Sequence, residues 1–248
     1  MNFPFVKPKY YWRLAVNLVQ FISRPSADFR KEKVVKNKVY DTIGLFIIKV
    51  VFSLTVSGLI SLFYEPKNLA TTGMAERFTP FVFLMVGGII LPLLEETCFR
   101  LSLKFKPTYF ALSMGAVCYY ILTKMVYQTK VSMIDDSFVY RVVGAVSVMV
   151  LLYPIVNRNR LRNALEAFWK SNFSMIYYFS CLSFAWMHIF NFELNLTNLL
   201  LLPILTLPQL FSAAIAGFTR IVFGFRYPLI VHMATNMLFI SLSFLPFD

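Results

Sequence analysis

Phe81-Val-Phe-Leu-Met-Val-Gly-Gly-Ile-Ile-Leu-Pro-Leu-Leu-Glu-Glu-Thr-Cys-Phe-Arg100 is an apolar run that ends in two adjacent carboxylates and an arginine. Its apolar part, Phe81 to Leu94, is shorter than the roughly 20 residues a bilayer crossing takes. The helix therefore has to continue through Glu95 and Glu96 toward Lys104. At ~1.5 Å per residue this puts Glu95 roughly 14 Å from the membrane boundary, near mid-bilayer. An ionisable group at that depth costs ~2.5–3.5 kcal/mol on insertion scales, so its presence calls for a function. Gly87, Gly88 and Pro92 just before the pair are expected to loosen or kink the helix and open space beside the carboxylates.

The rest of the chain has the same character. Of 248 residues 58% are hydrophobic and only 15% charged, against about 25% charged in a soluble domain. Such a chain cannot cover a water-facing surface. The pattern predicts an all-α, polytopic transmembrane bundle of seven spans: Thr42–Tyr64, Thr79–Phe105, Thr108–Met125, Phe138–Val156, Phe173–Phe190, Thr197–Phe218 and Tyr227–Phe247. The net charge of +12 does not indicate nucleic acid, because the basic residues flank apolar runs instead of forming one stripe. Lys and Arg are concentrated before the first span and after the even-numbered ones, which predicts the N-terminus inside. Residues 1–41 read as a basic, amphipathic arm on that inner face, in contact with anionic lipid, and 42–248 as the membrane domain. Trp12, Ala15, Val16, Val19 and Ile22 form its expected apolar side. A bacterial inner membrane is the expected location. Cys98, Cys118 and Cys181 lie in apolar segments and read as packing residues.

Lys49, Lys124, Arg141 and Arg220 fall toward span ends in this reading, where long side chains snorkel to the interface. Other polar groups have no such exit. Glu96 and Arg100 stand four apart on one helix face and can pair, while Glu95 is turned about 100° away and lacks that cation. The only two histidines, His188 and His232, both lie in apolar spans. Phe184 sits one turn before His188, and His232 and Asn236 share a helix face. One convergent site explains these residues better than separate burials do. Amide hydrolysis needs an activated water and donors for a developing oxyanion. Glu95 suits the first role as general base, assisted by His188, and His232 with Asn236 suits the second. Glu95, His188 and His232 also satisfy a His₂Glu zinc set, although the chain lacks H-E-x-x-H, so no metal is favoured.

Glu-Glu-x-x-x-Arg at Glu95–Arg100, Phe-x-x-x-His at Phe184–His188 and His-x-x-x-Asn at His232–Asn236 resemble, in order, the motifs of the CPBP intramembrane endopeptidases. That family comprises the CaaX proteases and the bacteriocin-processing, or Abi, proteins. The resemblance covers Phe81–Arg100 and Phe173–Leu245. It implies Glu95 and His188 as the water-activating pair, His232 and Asn236 as the oxyanion site, Glu96, Arg100 and Phe184 as supporting residues, and a membrane-embedded or lipid-anchored peptide as substrate. A metal-free glutamate mechanism is the one it favours, with zinc as the alternative. Two departures stand out. Thr108–Met125 and Phe138–Val156 intervene as an extra pair of spans. Counting from Asn172 also places His188 nearer the outer face than Glu95, so the site closes only if that helix starts below the membrane or ends at a cavity. A non-catalytic immunity or scaffold protein on the same fold is the main alternative function. A proton- or ion-coupled transporter is a third, and it would call for paired broken helices.

Overall fold

The structure, a computed structural model, describes residues 4–29 and 34–245. Long apolar runs become helices here because a helix satisfies its own backbone groups without water. In order these are α1 (Pro8–Ser23), α2 (Val35–Ser61), the short α3 (Leu69–Ala75), α4 (Pro80–Leu103), α5 (Pro107–Val126), α6 (Phe138–Val156), α7 (Asn159–Ser171) and α8 (Phe173–Asn191). The short α9 (Leu196–Leu200) and α10 (Leu202–Leu205) follow, then α11 (Leu207–Val222) and α12 (Arg226–Leu242). Among the described residues there is no strand, only an isolated bridge between Asn68 and Phe192. Five helices, α2, α4, α5, α6 and α8, are long and apolar enough to cross a membrane, which marks an integral membrane protein. Their outer faces stay apolar and uncovered, as on α6, where Val139, Val143, Val150 and Leu151 are exposed.

The last two expected spans differ from their sequence reading. Thr197–Phe218 is broken, because Pro203 and Pro208 each supply no backbone N–H and each opens a new helix. What remains unbroken is α11, 16 residues long. The expected Tyr227–Phe247 helix is the 17-residue α12, and residues 246–248 lie outside the described residues. A tight turn joins α11 to α12. Gly224 takes φ +112° there, a conformation that a side chain would disfavour. The turn sets the two helices side by side, and α11 packs on both α8 and α2.

The N-terminal segment is docked on the bundle. α1 buries Tyr10, Leu14, Leu18 and Phe21, whereas Trp12 and Val19, assigned from sequence to the apolar face, are exposed. Leu18 and Phe21 join the main core with Tyr177, Phe184 and Phe218, and the Tyr10 hydroxyl donates to the Tyr40 carbonyl at 2.7 Å. The first long helix begins at Val35, seven residues before the boundary expected at Thr42. Arg30, Lys31 and Lys33 of the basic arm lie outside the described residues.

Arg141 does not snorkel. It is fully buried and turns back on the α5–α6 loop, where Nη2 donates to the Met133 carbonyl at 2.7 Å and to Asp135 at 3.1 Å. The Ser137 hydroxyl, with Thr129 and Arg141 behind it, holds the Asp135 carboxyl down from 3.8 to about 2. A depressed carboxylate stabilises the fold above its unfolded pKa and stops doing so as pH falls through the folded one. The loop should therefore open to protease as pH drops from 3.8 toward about 2, and Asp135→Asn should open it at neutral pH. An acid-stable protease digest in detergent checks both.

Candidate active site

Helix α4 changes geometry just before the carboxylates. It runs as α-helix to Met85, makes a π turn over Val86–Ile90, resumes at Leu91 and ends in a 3₁₀ turn. In the π turn the Leu91 N–H reaches back to the Val86 carbonyl. The next donor in that pattern, residue 92, is proline, so the Gly87 carbonyl has no helical partner. Asn236 supplies one from α12, its Nδ2 donating to the Gly87 oxygen at 3.0 Å. The missing side chains at Gly87 and Gly88 let α12 approach, since a Cβ there would meet Ile240 and Met237. The loosening read from Gly87, Gly88 and Pro92 is thus a π turn clamped by Asn236.

That contact brings His232 to the two glutamates. Glu96 is 1% exposed and its Oε1 lies 2.9 Å from His232 Nδ1. Its Oε2 faces Arg100 Nε at 3.8 Å, and the Arg100 guanidinium lies 3.7 Å from the Phe184 ring centroid. An ionised carboxylate only accepts, so Nδ1 donates and Nε2 is left for the other side of the ring. There it meets Glu95 Oε2 at 3.6 Å, beyond a hydrogen bond but within ion-pair reach. Glu95 keeps 16% exposure, and the Tyr120 hydroxyl of α5 stands near its carboxyl.

The depth question posed by the sequence turns on where α8 ends. The α-helical part of α8 ends at Met187, and His188 opens a 3₁₀ turn beside a cavity. Its Nδ1 is 2.8 Å from the Phe184 carbonyl. A carbonyl accepts, so Nδ1 carries the proton and Nε2 offers a lone pair. The Phe184 ring lies 4.6 Å from the His188 ring and 5.8 Å from that of His232, which makes it the spacer between the two imidazoles.

A cavity of 480 Å³ is lined by Glu95, Phe184, His188, His232 and Asn236. A neighbouring cavity of 330 Å³ is lined by Tyr120, Lys124 and again by Glu95 and His188, so these two residues stand where the spaces adjoin. All seven residues selected from the sequence come together, with Glu96 and Arg100 buried behind the wall. The arrangement can hold water between an accepting imidazole and a reachable carboxylate, and it can relay a proton between Glu95 and His232. Among the described residues no group of three His, Cys, Asp or Glu side chains is placed to hold a metal ion. His232 Nδ1 is engaged with Glu96, which leaves Nε2 as the ring atom that a metal would take.

Sequence reasoning missed Lys49, Tyr120 and Arg220. Because α2 starts at Val35, Lys49 sits in the middle of a 27-residue helix, 4% exposed, and lines the larger cavity. Ser53 and Ser57 follow it at helical spacing and line the same cavity, a signal available in the sequence. Arg220 is also buried. It donates to the Arg100 carbonyl at 3.1 Å and the Leu101 carbonyl at 2.8 Å, closing the end of the helix that bears the carboxylates. Comparison with protein-family models, with curated proteins and with solved structures finds no match to this chain.

Arg100→Met should leave the Glu96 charge buried with one partner fewer and destabilise the protein by about 3–5 kcal/mol. Arg100→Met combined with Glu96→Gln should recover part of that loss. Thermal unfolding in nanodiscs measures both, and additive losses would contradict the pairing.

Proposed function

We propose that this protein is an intramembrane endopeptidase that hydrolyses a peptide bond in a membrane-embedded or lipid-anchored peptide. The observation that carries the reading is the division of labour between two adjacent carboxylates. Glu96 is enclosed by Arg100 and His232, while Glu95 stays reachable beside His188 on the cavity wall. The order of the Glu-Glu-x-x-x-Arg, Phe-x-x-x-His and His-x-x-x-Asn motifs, which resembles the CPBP endopeptidases, supports it.

In this mechanism the scissile carbonyl enters the larger cavity and a water lies between Glu95 and His188 Nε2. As the water oxygen attacks the carbonyl carbon, Glu95 takes its proton and negative charge moves to the carbonyl oxygen. The second N–H of Asn236 donates to that oxygen, and His232, held on Glu96 through Nδ1, adds a donor when its Nε2 carries a proton. Glu95 then passes its proton to the leaving nitrogen and the C–N bond breaks. A new carboxyl and a new amine result, and the site regains its starting protons. The seven-span topology with the N-terminus inside, a bacterial inner membrane and contact of the basic arm with anionic lipid belong to the same proposal.

Wild-type protein in nanodiscs, incubated with a pool of membrane peptides, should give products by mass spectrometry that persist with a chelator. Glu95→Gln should lower the rate by ~10²–10⁴-fold, the range for loss of a general base, and His188→Ala and His232→Ala should each reduce it. Undiminished cleavage by folded Glu95→Gln contradicts the proposal, and loss of all cleavage with chelator moves it to zinc. If folded wild type cleaves nothing, the non-catalytic scaffold reading gains.

A further inference from the structure

The larger cavity has a wall that this hydrolysis does not use. α2 contributes Lys49 and Ser53 to it, one turn apart, and α11 contributes Gln209. The Lys49 side chain is buried in mid-helix, too deep to reach an interface. Glu95 and Glu96 act on its ammonium only through space, without a hydrogen bond or close ion pair among the described residues. Gln209 Oε1 is likewise buried and has no hydrogen-bond partner among the described residues. The wall therefore presents a desolvated cation and an unused acceptor.

Both features are costly in an apolar bundle, and the nearby carboxylates act on the ammonium only from a distance, each turned to another partner. Glu96 is held by Arg100 and His232, and Glu95 faces His232. Among the described residues the ammonium has no anion in direct contact and Gln209 Oε1 no N–H. A peptide bearing a carboxylate has both groups. We propose that Lys49 anchors a carboxylate of the peptide bound in this cavity, with Gln209 accepting from a backbone N–H beside it. The carboxylate is that of a chain terminus or of an acidic side chain. This assignment rests on the cavity being a peptide site, but it concerns binding and is measured separately from cleavage.

The full chain carrying Glu95→Gln, which slows turnover, is placed in nanodiscs. It is titrated with three fluorescent forms of one apolar decapeptide: a free C-terminal carboxylate, a C-terminal amide, and a C-terminal amide with one internal glutamate. A carboxylate-bearing form should bind about tenfold more tightly than the plain amide, the weight of one charge-assisted contact. Whichever of the two wins identifies the source. Adding Lys49→Met should erase the preference and Lys49→Arg should retain it. Equal binding of all three forms, no saturable binding, or a preference unchanged by Lys49→Met overturns the assignment, and the first two need no substitution at position 49. Carboxylate preference without wild-type cleavage would keep the anchor and sink the peptidase. Cleavage without preference would do the reverse.

Discussion

A carboxylate closed away from water inside an apolar bundle is the constraint on which the rest of this site depends. Glu96 is only 1% exposed, like Leu14 of the core, and such a group is tolerated only with partners. Arg100 comes from the same helix, so pairing with it requires nothing of the fold. His232 comes from α12, and its contact with Glu96 ties the C-terminal helix to α4 at one register. The Arg100 guanidinium in turn lies on the Phe184 ring, which brings in α8. Three helices far apart in sequence are thereby fixed around one ion cluster. Glu95, one residue away and turned aside, is left on the cavity wall.

A backbone irregularity makes this convergence possible. Adjacent glycines let α12 approach, and the π turn with Pro92 frees a carbonyl that Asn236 takes up. Asn236 thus holds the helices together with one N–H and keeps the other for the cavity. Arg220 performs a matching task at the far end of α4, where the last carbonyls need donors. The carboxylates sit on a stretch of α4 secured before and after them by side chains from its neighbours, a basis for positional precision at a reacting centre.

The sequence disclosed the site more readily than it disclosed the surrounding fold, for a physical reason. Glutamate and histidine in apolar spans are expensive wherever the helix ends fall, so Glu95, Glu96, His188 and His232 stood out without a structure. Lys49, Arg141 and Arg220 did not. Snorkelling is decided by distance to a helix end, and hydropathy alone does not fix that end to within a turn. Moving the start of α2 back to Val35 was enough to turn Lys49 from a boundary residue into a buried one. Pro203 and Pro208 were visible as helix breakers, yet the continuous hydropathy of 197–218 masked the break. On α1 two apolar faces compete, and only packing against α2 and α11 selects Tyr10, Leu14, Leu18 and Phe21 as the buried one. The Asn236 contact could not be read at all, because the need for it arises from a π turn.

The most direct test of the cross-helix tie is a double-mutant cycle on Glu96→Gln and His232→Ala, followed by thermal unfolding in nanodiscs. The account predicts a coupling of about 1.5–3 kcal/mol, the range for a buried hydrogen bond to a charged group. Losses that add to within ~0.5 kcal/mol would mean that the two side chains do not touch, and the site as described would not exist.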